Sequence, residues 1–219
     1  MNKTLAKIFS FFWDIPIERT SSEQNEYLEV VWSNGKKMLN TKNANFSYGT
    51  CHGVFTVATD IISDSISKAN DILILGFGCG SILQILREDL KYSKNIVGIE
   101  YDDTIISLYQ KHFAKEMTSS CEILHTDALS FLKQNDHQYD VIFIDLFSEL
   151  ENSPIQFEES FISHLLKASK NKTTLVFNTT KKSKEDAITI TELNLTLSKR
   201  FKNVENHNFQ DLNNIIIAQ

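Results

Sequence analysis

Residues 72–81 read Ile72-Leu-Ile-Leu-Gly-Phe-Gly-Cys-Gly-Ser81: four aliphatic side chains running straight into three glycines at alternate positions. A short aliphatic run without polar alternation is the pattern of a strand buried on both faces, as in a parallel sheet. Glycine is placed where a backbone must turn sharply or come close to a ligand. The chain has only seven glycines, and Gly76, Gly78 and Gly80 are three of them, so this loop is where close approach is concentrated. A strand, a glycine loop and then a helix form a nucleotide-binding arrangement, because ligands bind beyond the carboxyl ends of parallel strands.

Downstream, strand and helix patterns alternate. Strands are predicted at Asp71–Leu75, Asn95–Glu100, Glu122–His125, Tyr139–Asp145, Thr173–Asn178, Phe201–His207 and Asn213–Ala218. Helices are predicted over about Ser81–Leu90, Asp103–Phe113, Ala128–Lys133, Glu158–Ala168 and Lys184–Lys199. This alternation implies an α/β fold with a mostly parallel seven-stranded sheet covered on both faces. The last two strands have only a short connection, so they should pair antiparallel. Upstream, Tyr27–Trp32 and Lys37–Thr41 flank Ser33-Asn34-Gly35 and read as a β-hairpin with an Asn-Gly turn. Residues 52–67 read as a helix. The chain therefore divides into an N-terminal helix, hairpin and helix region over 1–67 and an α/β region over 68–219.

Lys and Arg number 22 against 28 Asp and Glu, a net charge of −6, which argues against a general nucleic-acid binder. Cys51, Cys79 and Cys121 are scattered without metal-site spacing, so no metal is expected and a reducing, cytoplasmic setting is the simplest reading. No apolar run approaches a membrane span of ~20 residues. Leu5, Ile8, Phe9 and Phe12 fall on one helical face and read as a docking helix, with a membrane-surface or partner contact as the alternative. The expected partner is a small-molecule substrate, with neither nucleic acid nor membrane.

The loop Gly76-x-Gly78-x-Gly80 has the spacing of adenosylmethionine-type sites. A dinucleotide fingerprint would place Gly or Ala where Ser81 stands, and no Lys-Ser/Thr follows to make a phosphate-binding P-loop. Glu100 ends the second strand, where a carboxylate can accept hydrogen bonds from two ribose hydroxyls; both cofactor families have such an acid. Asp127 follows the third strand, where it can accept from an adenine amino group or cap the next helix. Cys79 reads as a small loop residue, with a reactive thiol as the alternative. Phe77 and Phe147 read as pocket walls.

Three stretches, Ile72–Ser81, Gly98-Ile-Glu100 and Tyr139-Asp-Val-Ile-Phe-Ile-Asp145, resemble a class I methyltransferase domain, and specifically its spermidine synthase-like branch. Asn45-Phe-Ser-Tyr48-Gly49-Thr50 stands where that family has a Phe-Ser-Tyr-Gln-Glu-like segment, and the resemblance covers roughly residues 27–219. It implies a Rossmann-like methyltransferase fold whose last strand is antiparallel. It implies S-adenosylmethionine, or its decarboxylated form, held by Gly76, Phe77, Gly78, Cys79, Gly80, Glu100, Tyr101, Asp127, Ala128 and Asp145. By the same resemblance Asp145 and Tyr48 are the catalytic and acceptor-site residues, and a homodimer is implied.

Three features depart from the family pattern. Ser148 replaces a second aspartate that grips a diamine, Gly49-Thr50 replaces Gln-Glu, and Cys79 replaces an acid that binds the donor's amine. A diamine needs carboxylates to offset its desolvation, so these losses favour methyl transfer from S-adenosylmethionine to a small molecule as the main reading. The alternatives are polyamine aminopropyl transfer with a rearranged acceptor site, Glu149 or Glu151 serving in place of the lost acid, and a non-catalytic nucleoside-binding protein.

Overall fold

The structure, a computed structural model, describes residues 3–42, 45–47, 50–116, 119, 121–148, 151–209 and 213–219. It opens with a short helix α1 (Lys3–Phe9). Strands β1 (Ile15–Thr20), β2 (Leu28–Ser33), β3 (Lys36–Thr41) and β4 (Asn45–Ser47) then form a four-stranded antiparallel sheet in the order β1-β2-β3-β4. The expected hairpin is its centre. Asn34 and Gly35 have φ of 48° and 75°, the two left-handed residues of a turn whose twist matches the flanking strands. The outer strands are an addition to the sequence reading. β1 carries Pro16 and an irregular register between Pro16 and Glu18, which hides the alternation by which strands are recognised.

Helix α2 (Thr50–Ile61) and helix α3 (Ser63–Lys68) replace the single helix expected over 52–67, the break falling at Ile62. The α/β region follows as expected, with strands β5 (Asp71–Leu75), β6 (Asn95–Glu100), β7 (Glu122–His125) and β8 (Tyr139–Ile144). A small hairpin of β9 (Phe147–Ser148) and β10 (Glu151–Asn152) comes next, then β11 (Ser169–Thr180), β12 (Val204–Phe209) and β13 (Asn213–Ala218). The main sheet runs β12-β13-β11-β8-β5-β6-β7. Pairings among β11, β8, β5, β6 and β7 are parallel, while β13 is antiparallel to both β11 and β12.

Helices α4 (Ser81–Gln84), α5 (Asp103–Leu108), α6 (Ala128–Gln134), α7 (Glu159–Lys167) and α8 (Lys184–Leu197) cover the sheet. α4 and α5 are shorter than the predicted helices because each runs on as a π-helical turn, Ile85–Asp89 and Tyr109–Phe113. Along β5 the side chains alternate between two cores. Ile72 and Ile74 join one with Leu28, Leu39 and Phe55, so the N-terminal sheet and α2 pack onto that face; Leu73 and Leu75 join the other with Ile142, Phe161 and Phe177. Among the described residues no helix is long and apolar enough to cross a membrane.

The N-terminal helix corrects an expectation. Ala6 and Ser10 face the protein, whereas Leu5, Ile8, Phe9 and Phe12 are exposed. Ser10 decides the orientation: its Oγ accepts from the Gly35 N–H at 2.9 Å and its carbonyl accepts from the Asn34 N–H at 2.8 Å. The hairpin turn thus holds the small residues of the helix and leaves the large apolar ones outward.

Candidate active site

The carboxyl ends of β5, β6, β7 and β8 converge, and main-chain hydrogen bonds hold them together. The Ile99 carbonyl accepts from the Gly76 and Phe77 N–H groups at 3.0 and 2.9 Å, and the Leu75 carbonyl accepts from Asp145 N–H at 2.9 Å. Gly76, Gly78 and Gly80 all have positive φ, of 85°, 56° and 84°. At Gly76 a side chain is excluded twice. The backbone is left-handed, and an added Cβ would lie 2.1 Å from the Asp145 carbonyl oxygen. This contact brings the glycine loop against the backbone of Asp145.

Glu100 is buried. Its Oε2 accepts from Gly78 N–H at 2.8 Å, and its Oε1 accepts from the N–H groups of Tyr101 and Asp102 at 3.0 and 3.1 Å. A carboxylate offers about four acceptor positions, so one remains, on Oε2. The sequence reading expects Glu100 to accept from two ribose hydroxyls; one acceptor position is left for such a role, because the loop's own Gly78 takes the other on Oε2. Burial pushes this carboxyl above its ordinary value, against the pull of the Asp102, Gly78 and Tyr101 N–H groups.

Beside it lies a residue that the sequence reading passed over. Asp102 is fully buried and caps α5, accepting from the Thr104 and Ile105 N–H groups. Its Oδ2 also accepts from Ser22 Oγ at 2.5 Å and Asn25 Nδ2 at 2.9 Å. Asp102 therefore ties the connection between β1 and β2 to the floor of the site. Its sequence signal was an acid just after a strand and just before a helix, the N-cap position.

The other sequence-predicted residues separate by burial. Phe77 is buried: its ring lies over Gly98, where an added Cβ would approach within 2.5 Å, and meets Tyr109 edge-on at 4.9 Å. Cys79 is also buried and packs in the same core. Both contribute backbone to the loop and turn their side chains away from solvent. Ala128 is buried at the start of α6. Tyr101 is exposed, and its carbonyl is 3.1 Å from His125 Nε2. Asp127 is exposed and caps α6 through the Ser130 N–H at 2.8 Å. Burial acts to raise its carboxyl, but the bonds from Ser130 outweigh that and hold it below the ordinary value. Tyr48 and Glu149 lie outside the described residues.

Asp145 is half-buried at the end of β8. Its Oδ1 accepts from Asn178 Nδ2 at 2.9 Å, and Asn178 Oδ1 accepts from Asn213 Nδ2 at 3.0 Å. Asn178 is buried on β11, so the chain of amides fixes which way its donor points. Nothing in the local sequence marks Asn178; only the pairing of β8 with β11 brings it beside Asp145. The β9–β10 hairpin pairs Glu151 with Ser148, placing an exposed acid on the rung of the ladder shared with Ser148. The hairpin is anchored by Asn152, which donates to the Thr180 carbonyl at 2.8 Å and accepts from Thr180 N–H at 2.8 Å.

Comparison with known proteins gives a consistent picture. Residues 57–209 match the family described as Spermine/spermidine synthase domain. The polyamine aminopropyltransferase of Prochlorococcus marinus (strain AS9601) is 36% identical over 106 residues, which is 44% of this chain and 36% of that relative. The match thus spans about a third of the relative's length. A crystal structure of a probable spermidine synthase from Corynebacterium glutamicum ATCC 13032 has a TM-score of 0.67 at 15% identity, covering 95% of this chain and 77% of that one. Human methyltransferase-like protein 13, in complex with SAH, has a TM-score of 0.62 at 16% identity, covering 78% of this chain and 82% of that one. These two likenesses show the fold, a Rossmann-like methyltransferase fold.

Proposed function

The chain belongs to the spermine/spermidine synthase domain family, and on that premise we propose that it is a transferase moving the aminopropyl group of decarboxylated S-adenosylmethionine onto an amine. The curated relative is a polyamine aminopropyltransferase, which favours this reading over the methyl transfer that the sequence departures suggested. The observation that carries it is Asp145: a half-buried carboxylate, oriented by Asn178, whose backbone abuts the glycine loop at Gly76.

The residues present suit such a donor. On this reading Glu100, with one acceptor position left on Oε2, takes a ribose hydroxyl, and the exposed Asp127 and Tyr101, after β7 and β6, face the adenosine. The donor supplies a carbon activated by a sulfonium; a carbon–nitrogen bond forms, the carbon–sulfur bond breaks with its electron pair returning to sulfur, and methylthioadenosine is left. Asp145 accepts a hydrogen bond from the attacking amine and takes the proton that nitrogen loses. Glu151, opposite Ser148 in the hairpin ladder, supplies a second carboxylate for a cationic acceptor. Cys121 is a free thiol, which suits a reducing cytoplasm.

Methyl transfer from intact S-adenosylmethionine is a second reading, favoured by one observation. With the buried Cys79 at its centre, the glycine loop carries no acid to hold the donor's amine or to repel its carboxylate. The leaving nucleoside separates the two. The protein is incubated with each donor and a panel of diamines and monoamines, and the nucleoside products are resolved by chromatography. Methylthioadenosine formed only when an amine is present is the expected result; S-adenosylhomocysteine would replace this reading with methyl transfer.

A further inference from the structure

The N-terminal segment shows large apolar side chains to water. Phe12 is 76% exposed, Phe11 and Trp13 62%, Ile8 53%, Leu5 48% and Phe9 40%. Three of them form a contiguous surface: Phe9 stacks on Trp13 with ring centroids 5.9 Å apart, and Phe12 lies 6.2 Å from Trp13. A contiguous exposed apolar patch marks an interaction site, whereas scattered exposed apolar residues do not. The patch is held rather than dangling. Ser10 binds both residues of the hairpin turn, and an added Cβ at Gly35 would lie 2.6 Å from the Phe11 ring.

Charge indicates what covers it. The protein carries −6 overall, yet residues 1–14 contain Lys3 and Lys7 against one acid, the exposed Asp14, and the turn that holds them is followed by Lys36 and Lys37. Lys7 and Lys36 are exposed. Lys7 lies on α1 itself, and Lys7 and Lys37 both approach the Trp32 ring, at 5.9 and 5.5 Å from its centroid, so basic groups gather at the join between α1 and the hairpin. A two-fold contact with a second copy would gather the basic groups of both copies around one apolar seam, with Asp14 as the one acid of the segment to offset them. An anionic lipid surface meets both features: headgroup phosphates face the lysines, and Phe and Trp side chains enter the boundary between headgroups and acyl chains.

We propose that residues 5–13, with Lys7 and Lys36 beside them, dock this protein peripherally on an anionic membrane. This departs from the expectation that no membrane takes part, and it does not depend on the reaction catalysed. Trp13 and Trp32 are the two tryptophans, so Trp32→Phe leaves Trp13 as a single fluorescent reporter. The test is sedimentation of the native chain, and emission of the Trp32→Phe chain, with vesicles of phosphatidylglycerol and phosphatidylcholine and with phosphatidylcholine alone.

Expected are co-sedimentation and a blue shift of Trp13 on the anionic vesicles, weakened about tenfold or more on neutral vesicles and in high salt, where charge attraction is screened. Phe12→Glu and Lys7→Glu, both on exposed positions, should each reduce binding while circular dichroism stays native. No sedimentation, or equal binding to neutral vesicles, would overturn the proposal. So would a dimer in light scattering that Phe12→Glu dissociates, because a second copy would then cover the patch.

Discussion

The two sides of the carboxyl edge of the main sheet are held by different means. Around β5 and β6 the loop is held through its main-chain N–H groups: the Ile99 carbonyl takes two, and one buried side chain, Glu100, gathers those of Gly78, Tyr101 and Asp102. Around β8, β11 and β13 the geometry is fixed by side-chain amides, Asn213 to Asn178 to Asp145. A loop held through its main chain depends little on the side chains it carries, so Cys79 and Phe77 are free to pack into the core. A side-chain-built site changes its chemistry with each substitution. Donor binding should therefore be robust and acceptor chemistry brittle.

The sharpest way to break that contrast is Asp145→Asn. It should lower turnover by about 100- to 10,000-fold, the range for removing a general base, and leave donor affinity and melting temperature near native. Equal loss of donor affinity would mean that the two sides are not separate.

Gly76→Ala attacks the backbone side. With φ of +85° and the Asp145 carbonyl 2.1 Å from the new Cβ, it should cost about 3 kcal/mol or more in urea unfolding. A native midpoint would show that the loop is not as tight as described. Asn178→Ala removes a donor from Asp145 and an acceptor from Asn213. It should cost about 1–3 kcal/mol and slow turnover by roughly tenfold, with donor affinity retained.

Glu100 gives a pH signature. Because burial raises its carboxyl, the folded state favours the protonated form. This contribution is fully present below the ordinary value of 4.5 and is lost as pH rises through the raised value. The stability difference between Glu100→Gln and the native chain should move in favour of the variant as pH rises from the ordinary value of 4.5 through the raised one. A pH-independent difference would place the carboxyl at its ordinary value. Asp127→Ala is expected to have the smallest effect, about 1 kcal/mol from loss of a helix cap, measured by thermal unfolding.

What sequence reveals follows the same division. The glycine loop, Glu100 and Asp145 were legible because each sits at a fixed offset from a buried strand, and offsets are local. The hairpin turn at Asn34-Gly35 was legible because two left-handed residues have few alternatives. Asn178 was not, since its role comes from the pairing of β8 with β11, and the residue type at a strand end says nothing about its neighbour. The exposed face of α1 was misread for a related reason. Periodicity identifies an apolar face but not its destination, and here two bonds from Ser10 to the hairpin turn set the helix the other way round. The β9–β10 hairpin was missed because four paired residues are too few for any period to show.

The most direct measurement is calorimetric titration of the native chain and Asp145→Asn with decarboxylated S-adenosylmethionine, S-adenosylmethionine and methylthioadenosine. Binding of the decarboxylated donor and of methylthioadenosine, with affinities little changed by Asp145→Asn, is the predicted result. Binding of none of the three would contradict a donor cradle at Gly76 and Glu100, and with it the assignment of this chain as a transferase.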